Sequence, residues 1–480
     1  MKEHTLNTIK KRSVVGVIIT GGAQAVSLAG GFVLSILLDP TIFGIYTIVV
    51  ASAVFLGYFS DIGLAAALIQ KKDKISPIDL ATTFTIQQAL VGSIVVIALA
   101  VSGWIGSSRG FPPDALLLFR ILVISFFFSS LKTIPSILLE RDLQFQKLVI
   151  PQIAEVIVFN IVVITLVALG WGVQSFTFGV LARGIVGVIA VYSIRPWMPR
   201  FAFEMASARR LVSFGMPFQL NSIIALVKDN IFIMVLPLMI PLSDVGYIGW
   251  AKKWAEVPLR LLMDNIVRIT FPAYSRLQED SHKLSRGIEK TLFFLLLLII
   301  PMSIGMVIMI RPLVSLIPYY EKWLPALPSF YLFVIASAVA GISTPVLNAL
   351  NAIGKIGVSL KFMILWTVMQ WTIAPILILT VGFNGFAITT VIMTLTTVFV
   401  VRIAQRSVPF SVIKNIVPSC VAGIGMGLVM VVLKQTGASS PFMLIIWGIA
   451  GCMVYATILY VGFRSIVLSE LSSLLRILKS

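Results

Sequence analysis

The sequence predicts an all-α polytopic membrane protein with about fourteen transmembrane helices. Three observations carry that prediction. Apolar runs of membrane-spanning length recur along the whole chain. Only 12% of the 480 residues are charged and 58% are hydrophobic, where a soluble chain carries about a quarter charged residues. Lysine and arginine are abundant in one set of loops and scarce in the alternate set, as expected of short loops on opposite sides of a bilayer.

The candidate spans lie at 14–38, 43–69, 81–103, 115–136, 149–170, 173–194, 211–236, 246–270, 290–310, 326–350, 357–379, 384–403, 411–433 and 441–463. About twenty apolar residues suffice to cross the hydrocarbon core as a helix. The connections are short, and "LDPTIFG", "RGFPPD" and "GFNG" carry the Gly and Pro of turns. The first run is too long for a signal-peptide core and has no small-residue cleavage pattern. It reads as a first span behind Lys10, Lys11 and Arg12.

An even number of spans puts both termini on one side. That side holds Lys10, Lys11, Arg12, Lys71, Lys72, Lys74, Arg195, Arg200, Arg209, Arg210 and Arg276, while the other holds Arg109, Arg311, Lys322 and Lys434. Both termini are therefore expected in the cytoplasm. This bias accounts for most of the formal net charge of +18, so no nucleic-acid partner is needed to explain it. Cys420 and Cys452 sit in apolar runs, and the two histidines, His4 and His282, in polar ones. No disulfide framework, metal site or cofactor is expected. Trp104, Trp171, Trp197 and Trp323 fall near predicted interfaces and read as an aromatic belt. The tail "SIVLSELSSLLRILKS" has leucines at helical spacing and a basic end, which suits the cytoplasmic membrane surface.

A faint internal repeat is present. "TIFGIY" (Thr41–Tyr46) and "SDVGYI" (Ser243–Ile248) superpose Gly44 on Gly246 with a shift of 202 residues. Transporters are often built from repeated halves. The expected organisation is an N-terminal lobe at 1–205 (spans 1–6) and a C-terminal lobe at 206–408 (spans 7–12). Residues 409–480 then hold spans 13 and 14 and the amphipathic tail.

The eighth span contains "WAKKWAEVPLRLLMDNIVRITF", Trp250–Phe271. Lys252, Glu256, Arg260, Asp264 and Arg268 recur at four-residue steps with alternating sign. Together with Lys253 they occupy an arc of about 160° on a helix, and the rest is almost wholly apolar. Each charge facing lipid at mid-bilayer costs roughly 2.5–3.5 kcal/mol on insertion scales. The six must therefore face protein or water. One role is a self-neutralising ladder of i,i+4 pairs; the other is the wall of a water-accessible cavity for an anion. Four positive charges against two negative favour the second.

Other charges lie inside predicted spans: Asp61, Arg120, Lys132, Glu155, Arg183, Lys228, Asp229 and Lys361. Lys132 and Arg183 lie close enough to predicted ends to snorkel and carry less weight. The candidate ligand-binding cations are thus Lys228, Lys252, Lys253, Arg260, Arg268 and Arg120. Asp61, Glu155, Asp229, Glu256 and Asp264 are candidates for proton or sodium coupling or, more simply, for partnering the cations. Pro258 is expected to bend the eighth helix.

The stretches "LLDPTIFGIYTIV", "FSDIGLAAALIQKKD", "LLERDLQFQKL", "LGWGVQSF", "KDNIFI" and "FPAYSRLQED" run in order from residue 37 to residue 280, with "NALNAIGK" further on. In these the chain resembles the polysaccharide transporter branch of the multidrug/oligosaccharidyl-lipid/polysaccharide exporter superfamily, closest to colanic-acid-exporter-like lipopolysaccharide biosynthesis flippases. The resemblance implies two six-helix lobes around a central cationic cavity. It also implies alternating-access transfer of an undecaprenyl-diphosphate-linked oligosaccharide across the plasma (inner) membrane, for polysaccharide export, with polymerase or export machinery as further partners. The family's "ADN" motif corresponds to Lys228, Asp229 and Asn230, with lysine where alanine is frequent. That lysine either adds a charge or neutralises Asp229. The ladder of the eighth span is denser than the resemblance leads one to expect. Two rival functions stand beside the flippase. A cation-coupled drug antiporter of the same superfamily would want an acidic or aromatic cavity. A membrane polymerase or ligase would want catalytic groups in an outward loop, and these loops are short and lack histidine. No enzymatic activity is expected.

Overall fold

The computed structural model describes Gly22, residues 24–59, Leu64, Leu68, and residues 75–109, 113–142, 144–435, 437, 440–468 and 470. For some of these, including Asp264 and Arg268, it describes the backbone alone. Every regular element among the described residues is helical. Among the described residues, eleven helical stretches are long and apolar enough to cross a membrane. Their outward faces are apolar too: Val96, Ile161, Ile189, Leu379, Ile424 and Val461 are all exposed. Continuous apolar surface is foreign to a soluble monomer. It is the natural exterior in hydrocarbon, where a helix satisfies its own backbone hydrogen bonds. The chain is a multi-pass membrane protein.

The chain divides into two compact units, Met1–Gly246 and Tyr247–Ser480. The first contains α1 (Gln24–Leu37), α2 (Pro40–Phe59), α3 (Pro77–Arg109), α4 (Pro113–Leu131), α5 (Thr133–Arg141), α6 (Phe145–Ala168), α7 (Gln174–Ile194), α8 (Met205–Leu226) and the short α9 (Phe232–Val235). Helix α7 packs against α6 and α4. Its glycines permit this: a Cβ at Gly184 would stand 2.8 Å from Ser125 Oγ, and one at Gly179 would collide with Val163. Helix α3 opens with a reciprocal cap. Asp79 N donates to Ser76 Oγ (3.2 Å) and Ser76 N donates to Asp79 Oδ2 (3.1 Å). The extended segment before α8 is clamped to α3, where Thr85 Oγ1 donates to Ala202 O (2.9 Å) and Ala202 N donates back (3.1 Å).

The two glycines of the sequence repeat meet. Gly44 lies in α2, and Gly246 lies in the first turns of α10 (Leu242–Ala255); both belong to the first unit. A Cβ on Gly44 would run into the carbonyl oxygen of Leu242, and one on Gly246 into that of Pro40. Each obstructing carbonyl lies four residues before the opposite glycine. The contact is therefore reciprocal, as a local two-fold crossing of repeated elements would be.

The second unit continues α10 and contains α11 (Val257–Arg276), α12 (Ser281–Leu316), α13 (Leu327–Ala352), α14 (Ile356–Val381), α15 (Asn384–Thr394), α16 (Thr397–Gln405), α17 (Ile413–Gln435) and α18 (Pro441–Gly462). Asp280 caps α12 by accepting from Lys283 N at 3.0 Å, and that bond holds its carboxyl below the usual range. Trp323 departs from the belt expectation. It is fully buried and stacks on Trp250 at 5.3 Å, whose Nε1 donates to Tyr320 Oη at 3.0 Å. Trp104 and Trp171 are exposed as a belt requires, whereas Trp197 packs edge-on to Phe84.

Four expected spans are not single α-helices, the twelfth breaking at Leu395 and Thr396 between α15 and α16. The fourth breaks at Lys132, between α4 and α5. The seventh passes from α8 through a π-helical turn, Val227–Ile231, into α9 and a 3-10 turn, Leu236–Leu238. The eighth breaks at Glu256, between α10 and α11, because Pro258 in the first turn of α11 has no N–H for the carbonyl four residues earlier. The tail beyond Glu470 and Asp61 lie outside the described residues.

Candidate functional site

Among the described residues, three charged clusters occur within otherwise apolar helices. The first joins three elements of the first unit. Glu155 stands ten residues into α6, Arg183 nine residues into α7, and Lys132 at the break after α4. Lys132 Nζ donates to Glu155 Oε1 at 2.5 Å, and Arg183 Nε donates to Oε2 at 3.3 Å. Glu155 and Lys132 keep only 10% and 16% of their side-chain surface, Arg183 51%. One carboxylate bridging two cations leaves the cluster one net positive charge. It borders two cavities of about 410 and 420 Å³. The room for it comes from Gly187, whose Cβ would collide with Glu155 Oε1 and stand 2.9 Å from Lys132 Nζ.

The snorkelling expectation for Lys132 and Arg183 is thus corrected. At 1.5 Å per residue Arg183 lies roughly 14 Å from one end of α7 and 16 Å from the other, beyond the reach of its side chain. Lys132 turns inward because Glu155 waits there. The usable signal in the sequence was Arg183's central position in its span. The partnership is not legible, since the partners are 23 and 28 residues apart.

The second cluster is the π-helical turn. Lys228 Nζ donates to Asp229 Oδ1 at 2.7 Å, so the lysine does pair with the aspartate. The turn packs against α2. A π-turn widens the helix by one residue and frequently marks a working site.

The third is the charged stripe across α10 and α11. Arg260 Nη2 and Nε lie 2.6 and 3.0 Å from Glu256 Oε2, and Lys252 Nζ lies 3.9 Å from Oε1. Lys252 also stands over the Phe386 ring, 5.6 Å from its centroid. Half of the ladder therefore pairs as the four-residue spacing predicts. The break at Glu256 means that the arc drawn for one unbroken helix does not hold beyond that residue. Arg260 is the most open of the three, with 66% of its side-chain surface exposed against 18% for Lys252 and 22% for Glu256. Lys253 is half-buried in α10. The side chains of Asp264 and Arg268 lie outside the described set.

The remaining candidates are dispersed. Arg120 is exposed on α4 and donates through Nε to Ser102 Oγ at 3.0 Å. Lys361 is exposed six residues into α14. Of the candidate coupling carboxylates, Glu155, Asp229 and Glu256 each contact at least one cation. No group of three or more metal-ligating side chains occurs among the described residues.

Solved membrane proteins share this fold. The chain superposes on the lipid II flippase MurJ in an inward closed conformation with a TM-score of 0.74 at 16% identity, covering 95% of this chain and all of that one. An inward-facing multidrug resistance MATE family transporter of the MOP superfamily gives 0.61 at 14% identity, over 80% and 95% of the two chains.

The family is given by sequence. Residues 33–328 match the family model described as polysaccharide biosynthesis protein, and the chain belongs to that family. Among its relatives are the lipopolysaccharide biosynthesis protein WzxC of Escherichia coli K12 and the succinoglycan biosynthesis transport protein ExoT of Rhizobium meliloti. WzxC is 25% identical over 75% of this chain and 73% of its own. ExoT is 22% identical over 65% and 62%.

Proposed function

We propose that the protein is a flippase that carries an undecaprenyl-diphosphate-linked oligosaccharide from the cytoplasmic to the outer leaflet of the plasma membrane by alternating access. The observation that carries this reading is the excess of positive charge at mid-span, held inside helices that are otherwise apolar. A diphosphate leaving one headgroup layer must exchange its water for other partners, and fixed Lys and Arg supply them. Arg260 and Lys228, with Lys252, Lys253, Arg268 and Arg120, are the cations assigned to that task, and the lipid tail stays in the bilayer. Membership of a polysaccharide biosynthesis family supports the choice of cargo. A MATE-like antiporter of cationic drugs fits less well, because the surplus charge has the wrong sign.

The reading takes fourteen spans, both termini in the cytoplasm, two six-span lobes at 1–205 and 206–408, and a terminal pair of spans at 409–480. It assigns no bond-making chemistry. Depletion of the protein followed by mass spectrometry of extracted lipids tests it. An undecaprenyl-diphosphate-linked oligosaccharide should accumulate on the cytoplasmic side. An unchanged lipid-linked pool alongside lost drug resistance would transfer the assignment to the antiporter.

A further inference from the structure

We infer that the Lys132–Glu155–Arg183 cluster is an anion subsite for the diphosphate group, in which Glu155 occupies the cations until the ligand displaces it. The inference rests on the flippase reading for the source of the diphosphate and on the cluster's own geometry for the site.

Four features point to a ligand. The cluster is net positive, so the carboxylate does not exhaust its attraction for anions. Arg183 has five N–H donors, of which Nε alone is engaged by Glu155; its terminal nitrogens have no hydrogen-bond partner among the described residues. Its exposed surface cannot reach a headgroup layer from mid-helix, so it opens into the cavity of about 410 Å³ that it lines with Lys132, Ser27, Ser125 and Asn160. That volume falls in the range of small-molecule sites. Finally, Lys132, Glu155 and Arg183 also border the cavity of about 420 Å³ that continues past Ser136 and Gln152 toward the opposite ends of the same helices. The cluster is the element that the two cavities share. A purely structural ion pair gains nothing from standing between two voids.

Glu155 suits a competitor rather than a ligand partner. A carboxylate repels phosphate, yet without one the two cations would stand together at mid-span uncompensated. A phosphate brings more charge and more acceptor atoms, and can take the guanidinium through two parallel bonds. Gly187 keeps the space in which Glu155 and Lys132 meet.

The test is binding to the purified full-length protein in nanodiscs, with geranylgeranyl diphosphate and inorganic pyrophosphate as separate probes. Arg183→Gln should weaken binding by about tenfold or more, the loss of a charge-assisted bidentate contact. Glu155→Gln should tighten it severalfold, an effect that a structural role cannot produce. Unfolded protein lowers the binding stoichiometry and leaves the dissociation constant of the folded molecules unchanged, so a less stable Glu155→Gln protein still reports; Arg183→Lys, which keeps the charge, should fall between wild type and Arg183→Gln. Arg183-dependence with both probes identifies the diphosphate itself as the ligand, and dependence with the prenyl probe alone identifies a lipid headgroup. Unchanged affinity in Arg183→Gln for both probes, or a loss in Glu155→Gln as large as in Arg183→Gln, overturns the subsite. Arg183-dependent binding in a protein whose depletion accumulates no lipid-linked sugar keeps the subsite and sinks the flippase. Accumulation with unchanged binding in Arg183→Gln does the reverse.

Discussion

Replacing Gly44 by alanine adds one methyl group where there is no room for it. The new Cβ would stand 3.0 Å from the Leu242 carbonyl carbon and 3.1 Å from Gly246 N, with the Leu242 oxygen closer still. Comfortable carbon contacts lie at about 3.5–4.0 Å, and every obstructing atom is backbone. No rotamer change relieves the overlap, so α2 and the start of α10 must separate by roughly 1 Å or more. That separation loosens Phe43 and Val245, which flank the two glycines and are fully buried. Overpacking of this kind costs about 1–3 kcal/mol, more than the ~0.5–1 kcal/mol that alanine gains over glycine in a helix. Gly246→Ala should cost about as much, because its Cβ meets the Pro40 carbonyl in the same way. The two should not add. Once one methyl has parted the helices, the second finds part of its space made, so the double variant should be less destabilised than the sum by at least about 0.5 kcal/mol. Thermal unfolding of the purified protein in detergent measures this, with Gly92→Ala as the control, since nothing lies within 4 Å of that Cβ. If Gly44→Ala unfolds with the control, or if the two costs simply add, the reciprocal crossing is refuted.

Three further outcomes follow, two from the charged clusters and one from the cap of α3. Arg260→Ala and Lys253→Ala should each impair polysaccharide export while leaving membrane insertion normal; full export in both and in the double variant would remove these residues from the ligand path. Lys228→Ala should destabilise by less than the ~3–5 kcal/mol of a fully buried broken pair, because Asp229 keeps 45% of its side-chain surface. Adding Asp229→Asn should restore part of the loss in thermal stability, and a further decline would mean that the pair is not what holds the turn. Asp79→Ala should cost about 1–3 kcal/mol by removing the cap of α3 and the acceptor that Ser207 Oγ reaches at 2.6 Å; an unchanged melting profile would deny the cap its structural role.

The depletion experiment stands above these, because it alone addresses the cargo. The sign of the intramembrane charge separates the two transporter readings on physical grounds. A drug cation and a diphosphate cannot both be served by the same surplus of lysine and arginine.

Much of the architecture was legible in the sequence because hydrocarbon leaves the backbone so few options. Apolar runs of some twenty residues dictate helices, and among the described residues eleven helical stretches appear where the hydropathy put them. Local spacing was also legible: Lys252, Glu256 and Arg260 pair because four residues make about one turn. The shift of 202 residues between "TIFGIY" and "SDVGYI" marked Gly44 and Gly246, whose lack of side chains lets two backbones touch. What the sequence could not give is which distant residues share a place. Lys132, Glu155 and Arg183 come from three different helices, and no periodicity links them. Only the packing of α7 on α4 and α6, made close by small residues, brings one carboxylate between two cations. The break at Lys132 and the π-turn at Val227–Ile231 were equally hidden, whereas Pro258 had marked the bend of the eighth span. A helix changes its pitch or direction where neighbouring side chains and missing donors make that the lower-energy path, and those neighbours are set by the fold.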